Sequence, residues 1–132
     1  YLAKRGTPEQ PEDLSSHQLV AFKSQSAIAL VGPKGEKAQL NLRCSQNRLV
    51  IDDGLSYKIA TMEGAGIALH ALWSVHQELV AGTLGQVLEN YRMDIEPALW
   101  LVYPKSNVLT AKVRVFIDFL VERIGVKPPW LE

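Results

Sequence analysis

The chain has 132 residues, 47% of them hydrophobic, with 14 Lys plus Arg balanced by 14 Asp plus Glu. That is enough for one ordinary globular domain, and it lacks the clustered positive excess of a nucleic-acid-binding surface. The single cysteine, Cys44, excludes an intrachain disulfide and fits a reducing, cytoplasmic setting, and no apolar run reaches the ~20 residues of a membrane helix.

The opening residues, YLAKRGTPEQPEDL, lack the apolar core of a signal peptide. Tyr1-Leu2 reads as the end of a strand, so the chain is expected to be a piece of a longer protein. Pro8 and Pro11 bar a continuous helix, and Glu12-Asp13-Leu14 can form one turn after Pro11. Leu19 to Phe22 is a short strand, followed by a polar break at Lys23-Ser24-Gln25-Ser26. Ala27 to Val31 is a second strand, ended by the turn signal Gly32-Pro33-Lys34-Gly35. Ala38, Leu40 and Leu42 alternate with polar neighbours, so the two segments read as an antiparallel hairpin.

Leu49 to Ile51 is the next strand. Asp53 can cap a helix by accepting from a backbone N–H two or three residues on. Leu55, Ile59 and Met62 mark one face of that helix, Gly64 stands where a left-handed residue ends it, and Ile67 to Leu69 begins another strand. Strand, covering helix and strand make a parallel crossover, which implies an α/β sheet. Leu72, Val75 and Leu79 give an amphipathic helix closed by Gly82, and Leu84 to Leu88 reads as a strand. Tyr91 to Pro97 is polar and irregular, whereas Ala98 to Tyr103 is expected to be a central strand buried on both faces. The last helix carries Val113, Phe116, Ile117, Leu120 and Ile124 on one stripe, with Thr110 able to cap its start and Gly125 its end. Val115 and Phe119 broaden the stripe, so this helix needs more cover than one surface provides.

Little of this resembles catalytic machinery. Glu63-Gly64-Ala65-Gly66 follows a helix and precedes a strand, the reverse of a dinucleotide fingerprint, so its glycines cap and pack. His17, His70 and His76 have no partner at metal-ligand spacing, Cys44 has no evident activating base, and no cofactor is implied. Asp52 and Asp53, adjacent at a strand end, point in different directions; Asp53 reads as a helix cap, a role compatible with ligand contact. In open α/β sheets, ligands bind beyond the carboxyl ends of parallel strands, where helix N-termini present free N–H groups. The Asp52-Asp53-Gly54 corner is such a place, and Lys23-Ser24-Gln25 is a candidate facing loop, with Lys23 compatible with an anionic ligand.

Three stretches, in order and spacing, resemble LysR-type transcriptional regulators: Tyr1-Leu2 with Arg5-Gly6-Thr7-Pro8, Pro11-Glu12-Asp13-Leu14 and His17; Leu49 to Leu69; and Gly82-Thr83-Leu84 through Tyr91, Leu99 to Pro104 and Lys112 to Leu120. The chain departs from that pattern at His70-Ala71, where a proline is usual, and in lacking an aromatic within Ala27 to Val31. The resemblance implies a periplasmic-binding-protein-like α/β fold with mixed sheet, hairpin and crossover helices. Residues 1–13 would be the hinge, 14–89 the second effector-binding subdomain, and 90–132 the return crossover, strand and C-terminal helix of the first subdomain. It further implies an effector-sensing regulatory domain and not an enzyme. The small-molecule effector would be contacted by Lys23, Ser24, Gln25, Asp52, Asp53 and Gly54. A homodimer or tetramer would pair near Gln46, Arg48, Leu49, Val50 and Ile51, and DNA would be bound only through an N-terminal domain outside this chain. A transport-type solute-binding lobe shares the architecture and is the alternative; an α/β enzyme with an unrecognised site is a third reading.

Overall fold

The computed structural model describes residues 1–42, 47–95, 100–103, 110–125, 128 and 130, with only the backbone of 47 and 48. The chain divides into two compact units, Tyr1–Glu96 and Pro97–Glu132.

In the first unit, a helical turn α1 (Leu2–Arg5) stands where a strand end was expected, and a 3-10 turn spans Pro11–Ser16. Pro11 suits the first position of that turn, and Asp13 accepts from the Glu9 and Gln10 amides at 3.0 and 3.1 Å. These bonds hold the Asp13 carboxyl below its ordinary value. Strand β1 (Leu19–Phe22) follows within the expected bounds, its first three residues all buried. It is the centre of a parallel sheet of order β4-β1-β5, with β4 at Asn47–Ile51 and β5 at Ile67–Ala68. The short apolar run LVAF is therefore the fully covered strand of this sheet.

The hairpin β2 (Ala27–Val31) and β3 (Lys37–Asn41) pairs Ala27 with Asn41 through Val31 with Lys37. Its turn closes through the Gly35 amide on the Gly32 carbonyl at 3.0 Å. A third strand, β6 (Arg92–Met93), joins the free side of β2. The expectation of irregular structure at 91–97 is corrected at these two residues, because β2 offers them an open edge. Leu14, Leu19, Ala21, Ile28 and Leu42 form one buried cluster.

Helix α2 (Gly54–Met62) connects β4 to β5 across β1. Its buried residue is Tyr57, while Leu55 is 67% and Ile59 50% exposed and Met62 is also exposed. Leu55 and Ile59, expected on one face with Met62, thus stand towards solvent, and Tyr57 is the side chain the helix buries. Tyr57 determines the packing: its ring meets Phe22 edge-on at 5.5 Å and His70 at 4.4 Å. Gly64, at φ 75, ends the helix, and α3 (Leu72–Val80) follows, with Gly82 at φ 70 beyond it.

Residues 84–88 are not a strand, and Leu88 takes a left-handed φ of 55 incompatible with extended backbone. In the second unit, Trp100 to Tyr103 form no strand and Trp100 is 81% exposed; Ala98 and Leu99 lie outside the described residues. A strand exists only within a ladder, and no described strand of the chain pairs with 100–103. Helix α4 (Ala111–Ile124) has the expected bounds and no buried residue, and its N-cap Thr110 makes no side-chain cap bond.

Candidate functional site

The carboxyl ends of β1 and β4 lie side by side because the two strands are parallel and Phe22 pairs with Ile51. The Lys23 amide continues the ladder by donating to the Ile51 carbonyl at 2.7 Å. The Gln25 amide then turns back onto the Phe22 carbonyl at 2.8 Å. Two segments far apart in sequence, Lys23-Ser24-Gln25 and Asp52-Asp53-Gly54, are thereby brought to one corner of the sheet. Lys23 Nζ bridges them by donating to Asp52 Oδ2 at 3.2 Å.

Asp53 is the N-cap of α2, its Oδ2 accepting from the Ser56 amide at 2.7 Å. Ser56, first through its hydroxyl and then its amide, and Leu55 hold this carboxyl below its ordinary value. Gly54 is the first helical residue and is exposed, as is Ser24. Gln25 is half-buried, and its Oε1 is buried with no donor among the described residues. The corner sets one cation, Lys23, against two carboxylates, Asp52 and Asp53. Lys23 is already paired and the helix terminus already carries Asp53, so this face attracts an anion less than Lys23 alone implies. Its remaining capacity is polar: the Ser24 hydroxyl and the Gln25 amide.

Sequence reasoning missed the groups that support the corner from below. The Tyr57 hydroxyl accepts from the Leu69 amide at 3.1 Å and lies 3.2 Å from the Val20 carbonyl and 3.1 Å from the Leu69 carbonyl. Burial raises the Tyr57 phenol above its ordinary value, opposed by the Leu69 bond. Thr61 Oγ1 donates to the Tyr57 carbonyl at 2.9 Å and lies 2.9 Å from His70 Nε2. Lys58 Nζ meets Glu78 Oε1 at 2.5 Å, tying α2 to α3, and this bond holds the Glu78 carboxyl below its ordinary value. The one available signal was the tyrosine itself, a polar aromatic set inside an apolar helix. At the chain's start, His17 is 5% exposed. Tyr1 Oη accepts from the Gln18 amide at 2.8 Å and lies 3.1 Å from His17 Nδ1. Of the residues expected to pair subunits, Leu49 and Val50 are exposed on the edge strand β4; Gln46 and the side chain of Arg48 lie outside the described residues.

The full-length structure of the Vibrio cholerae virulence activator AphB, a member of the LTTR protein family, matches with a TM-score of 0.75 and 26% identity, over 92% of this chain and 41% of that one. The regulatory domain of CrgA from Neisseria meningitidis shares the fold at a TM-score of 0.69 and 23% identity, over 95% of this chain and 61% of that one. A parallel ladder, a capped crossover helix and an appended hairpin thus define a periplasmic-binding-protein-like regulatory lobe. The model of the LysR substrate binding domain matches residues 1–125. The chain belongs to the LysR substrate-binding domain family, the effector-binding regulatory region of LysR-type transcriptional regulators. It is 32% identical over 124 residues to the HTH-type transcriptional activator AaeR of Escherichia coli strain K12, covering 92% of this chain and 39% of that protein. The HTH-type transcriptional regulator CrgA of Neisseria meningitidis is 27% identical over 128 residues, covering 95% of this chain and 41% of that protein. The chain thus spans about two fifths of the curated relatives it matches. None of its described helices is long and apolar enough to cross a membrane.

Proposed function

We propose that this chain is the effector-sensing part of a cytoplasmic transcriptional regulator and has no catalytic role. A small molecule binds at Lys23, Ser24, Gln25, Asp52, Asp53 and Gly54 and changes the geometry between two subdomains. Residues 1–13 serve as hinge, 14–89 as the second subdomain, and 90–132 as the return to the first. The observation that carries this reading is the corner itself: two polar segments meet at the carboxyl ends of adjacent parallel strands, beside a helix N-terminus. The buried, undonated Oε1 of Gln25 adds a polar group whose hydrogen-bonding capacity a ligand donor can meet. The pairing of Lys23 with Asp52 favours a neutral polar effector over a simple anion.

The regulator works as a homodimer or tetramer, with subunits meeting near Gln46, Arg48, Leu49, Val50 and Ile51. An exposed edge strand is a template for association, and the exposed Leu55 and Ile59 of α2, the helix that follows β4, add apolar surface. DNA is contacted only by a separate N-terminal domain. The test is a thermal-shift screen of metabolites on the full-length regulator. Stabilising compounds whose effect depends on Ser24 and Gln25 support the reading; compounds indifferent to both overturn the site.

A further inference from the structure

A cleft of about 630 Å³ opens within the Tyr1–Glu96 unit, and none of the six corner residues lines it. Its walls are mainly apolar, with Ile28 and Leu30 of β2, Ile67 of β5, Val75 and Leu79 of α3, and Leu88 beyond. Close-packed interiors leave few voids larger than a water molecule. This one falls within the ~300–1,000 Å³ of small-molecule pockets. Among the described residues, no lysine, arginine, aspartate or glutamate lines it, so a charged ligand would lose its hydration without a counter-charge.

Among the polar residues of its wall, Thr61 and His70 are oriented by hydrogen bonds. Thr61 Oγ1, also in its wall, gives its proton to the Tyr57 carbonyl and therefore accepts from His70 Nε2 at 2.9 Å. With Nε2 carrying the proton, the neutral His70 ring has Nδ1 as its acceptor, and no described residue donates to it. Burial, and after it the Lys58 ammonium, lowers the His70 value and keeps this neutral form at pH 7. The Tyr57 ring, 4.4 Å from His70, restrains the imidazole from behind.

We propose that this cleft is a second small-molecule site, separate from the corner, for an uncharged aromatic molecule with one hydrogen-bond donor, a phenol or an indole, whose donor goes to His70 Nδ1. Apolar cavities bind such rings, and the undonated Nδ1 acceptor of a wall residue, His70, selects for a donor.

The test is fluorine NMR titration of the full chain with para-fluorophenol, para-fluoroanisole, which lacks the donor, and para-fluorobenzoate, which is charged. Saturable binding of the phenol is expected, about three- to tenfold tighter than the anisole, the worth of one hydrogen bond. The benzoate should fail to compete. His70→Phe should bring the phenol down to the anisole's affinity, and Leu79→Trp, which narrows the cleft, should weaken both. If circular dichroism shows that Leu79→Trp does not fold, the His70→Phe comparison decides alone. The proposal is overturned if the phenol does not saturate, if phenol and anisole bind equally, or if His70→Phe leaves the phenol's affinity unchanged. It does not rest on the corner being an effector site, and corner variants such as Ser24→Phe should leave the phenol affinity as it is.

Discussion

The Tyr57 hydroxyl stands between β1 and the end of β5, taking the Leu69 amide proton at 3.1 Å and lying 3.2 Å from the Val20 carbonyl. Val20 pairs with Ala68 in a parallel ladder, where the next amide, that of Leu69, would ordinarily donate straight to the Val20 carbonyl. The hydroxyl takes the place of that bond, bridging the Leu69 amide and the Val20 carbonyl. Tyr57→Phe keeps the ring but strands the half-buried Leu69 amide, which costs roughly 1–3 kcal/mol. Chemical denaturation should show a loss of that size, with the Leu69 amide losing its protection from hydrogen exchange.

His70 makes stability depend on pH. Burial, then Lys58, lowers its value below the ordinary 6.5, with Glu78 opposing. A lowered histidine means that the folded state binds fewer protons than the unfolded one. Its neutral-form contribution is full above the unfolded value and is lost as pH falls below it. Melting temperature should therefore drop more steeply between about pH 7 and pH 5 in the wild type than in His70→Gln.

Gly66 lies against the backbone of the residue preceding β1. A Cβ there would come within 2.3 Å of the Gln18 carbonyl oxygen, at a φ of 155. The adjacent Ile67 amide donates to that same carbonyl at 2.8 Å. Gly66→Ala should force the strand away and destabilise the fold by about 1–3 kcal/mol, measured by urea denaturation.

The outward surface of β4 and α2 gives a separate prediction for assembly. The double variant Val50→Glu with Ile59→Glu should leave the monomer's helix content unchanged, since both side chains are exposed. Sedimentation velocity on the full-length regulator should then show a shift towards monomer at concentrations where the wild type associates. An unchanged distribution would place subunit pairing elsewhere.

Much of this arrangement is local and therefore legible in the sequence. The strands 19–22 and 27–31 and the Asp53 cap depend on neighbours a few residues away, and all three occur as expected. The helix at 111–124 does too, because its stripe repeats over three turns. What depends on distant partners was not legible. The stripe Leu55, Ile59 and Met62 has the period of the helix but no buried member, because Tyr57 has its partners on β1 and beyond β5. The run at 100–103 has the composition of a buried strand but no described ladder partner. Lys23 and Asp52 were each singled out, yet their ion pair spans 29 residues. It leaves the corner with one paired cation against two carboxylates instead of a free anion-attracting lysine.

The most direct measurement of the central claim is calorimetric titration of a stabilising metabolite into the full-length regulator and its Ser24→Phe variant. Ser24 is exposed and makes no described side-chain bond, so the substitution leaves the fold intact while placing a ring across the corner. The corner's role as an effector site predicts at least a tenfold loss of affinity, ~1.4 kcal/mol, with an unchanged melting temperature in the absence of ligand. Equal affinity in the two proteins would contradict it.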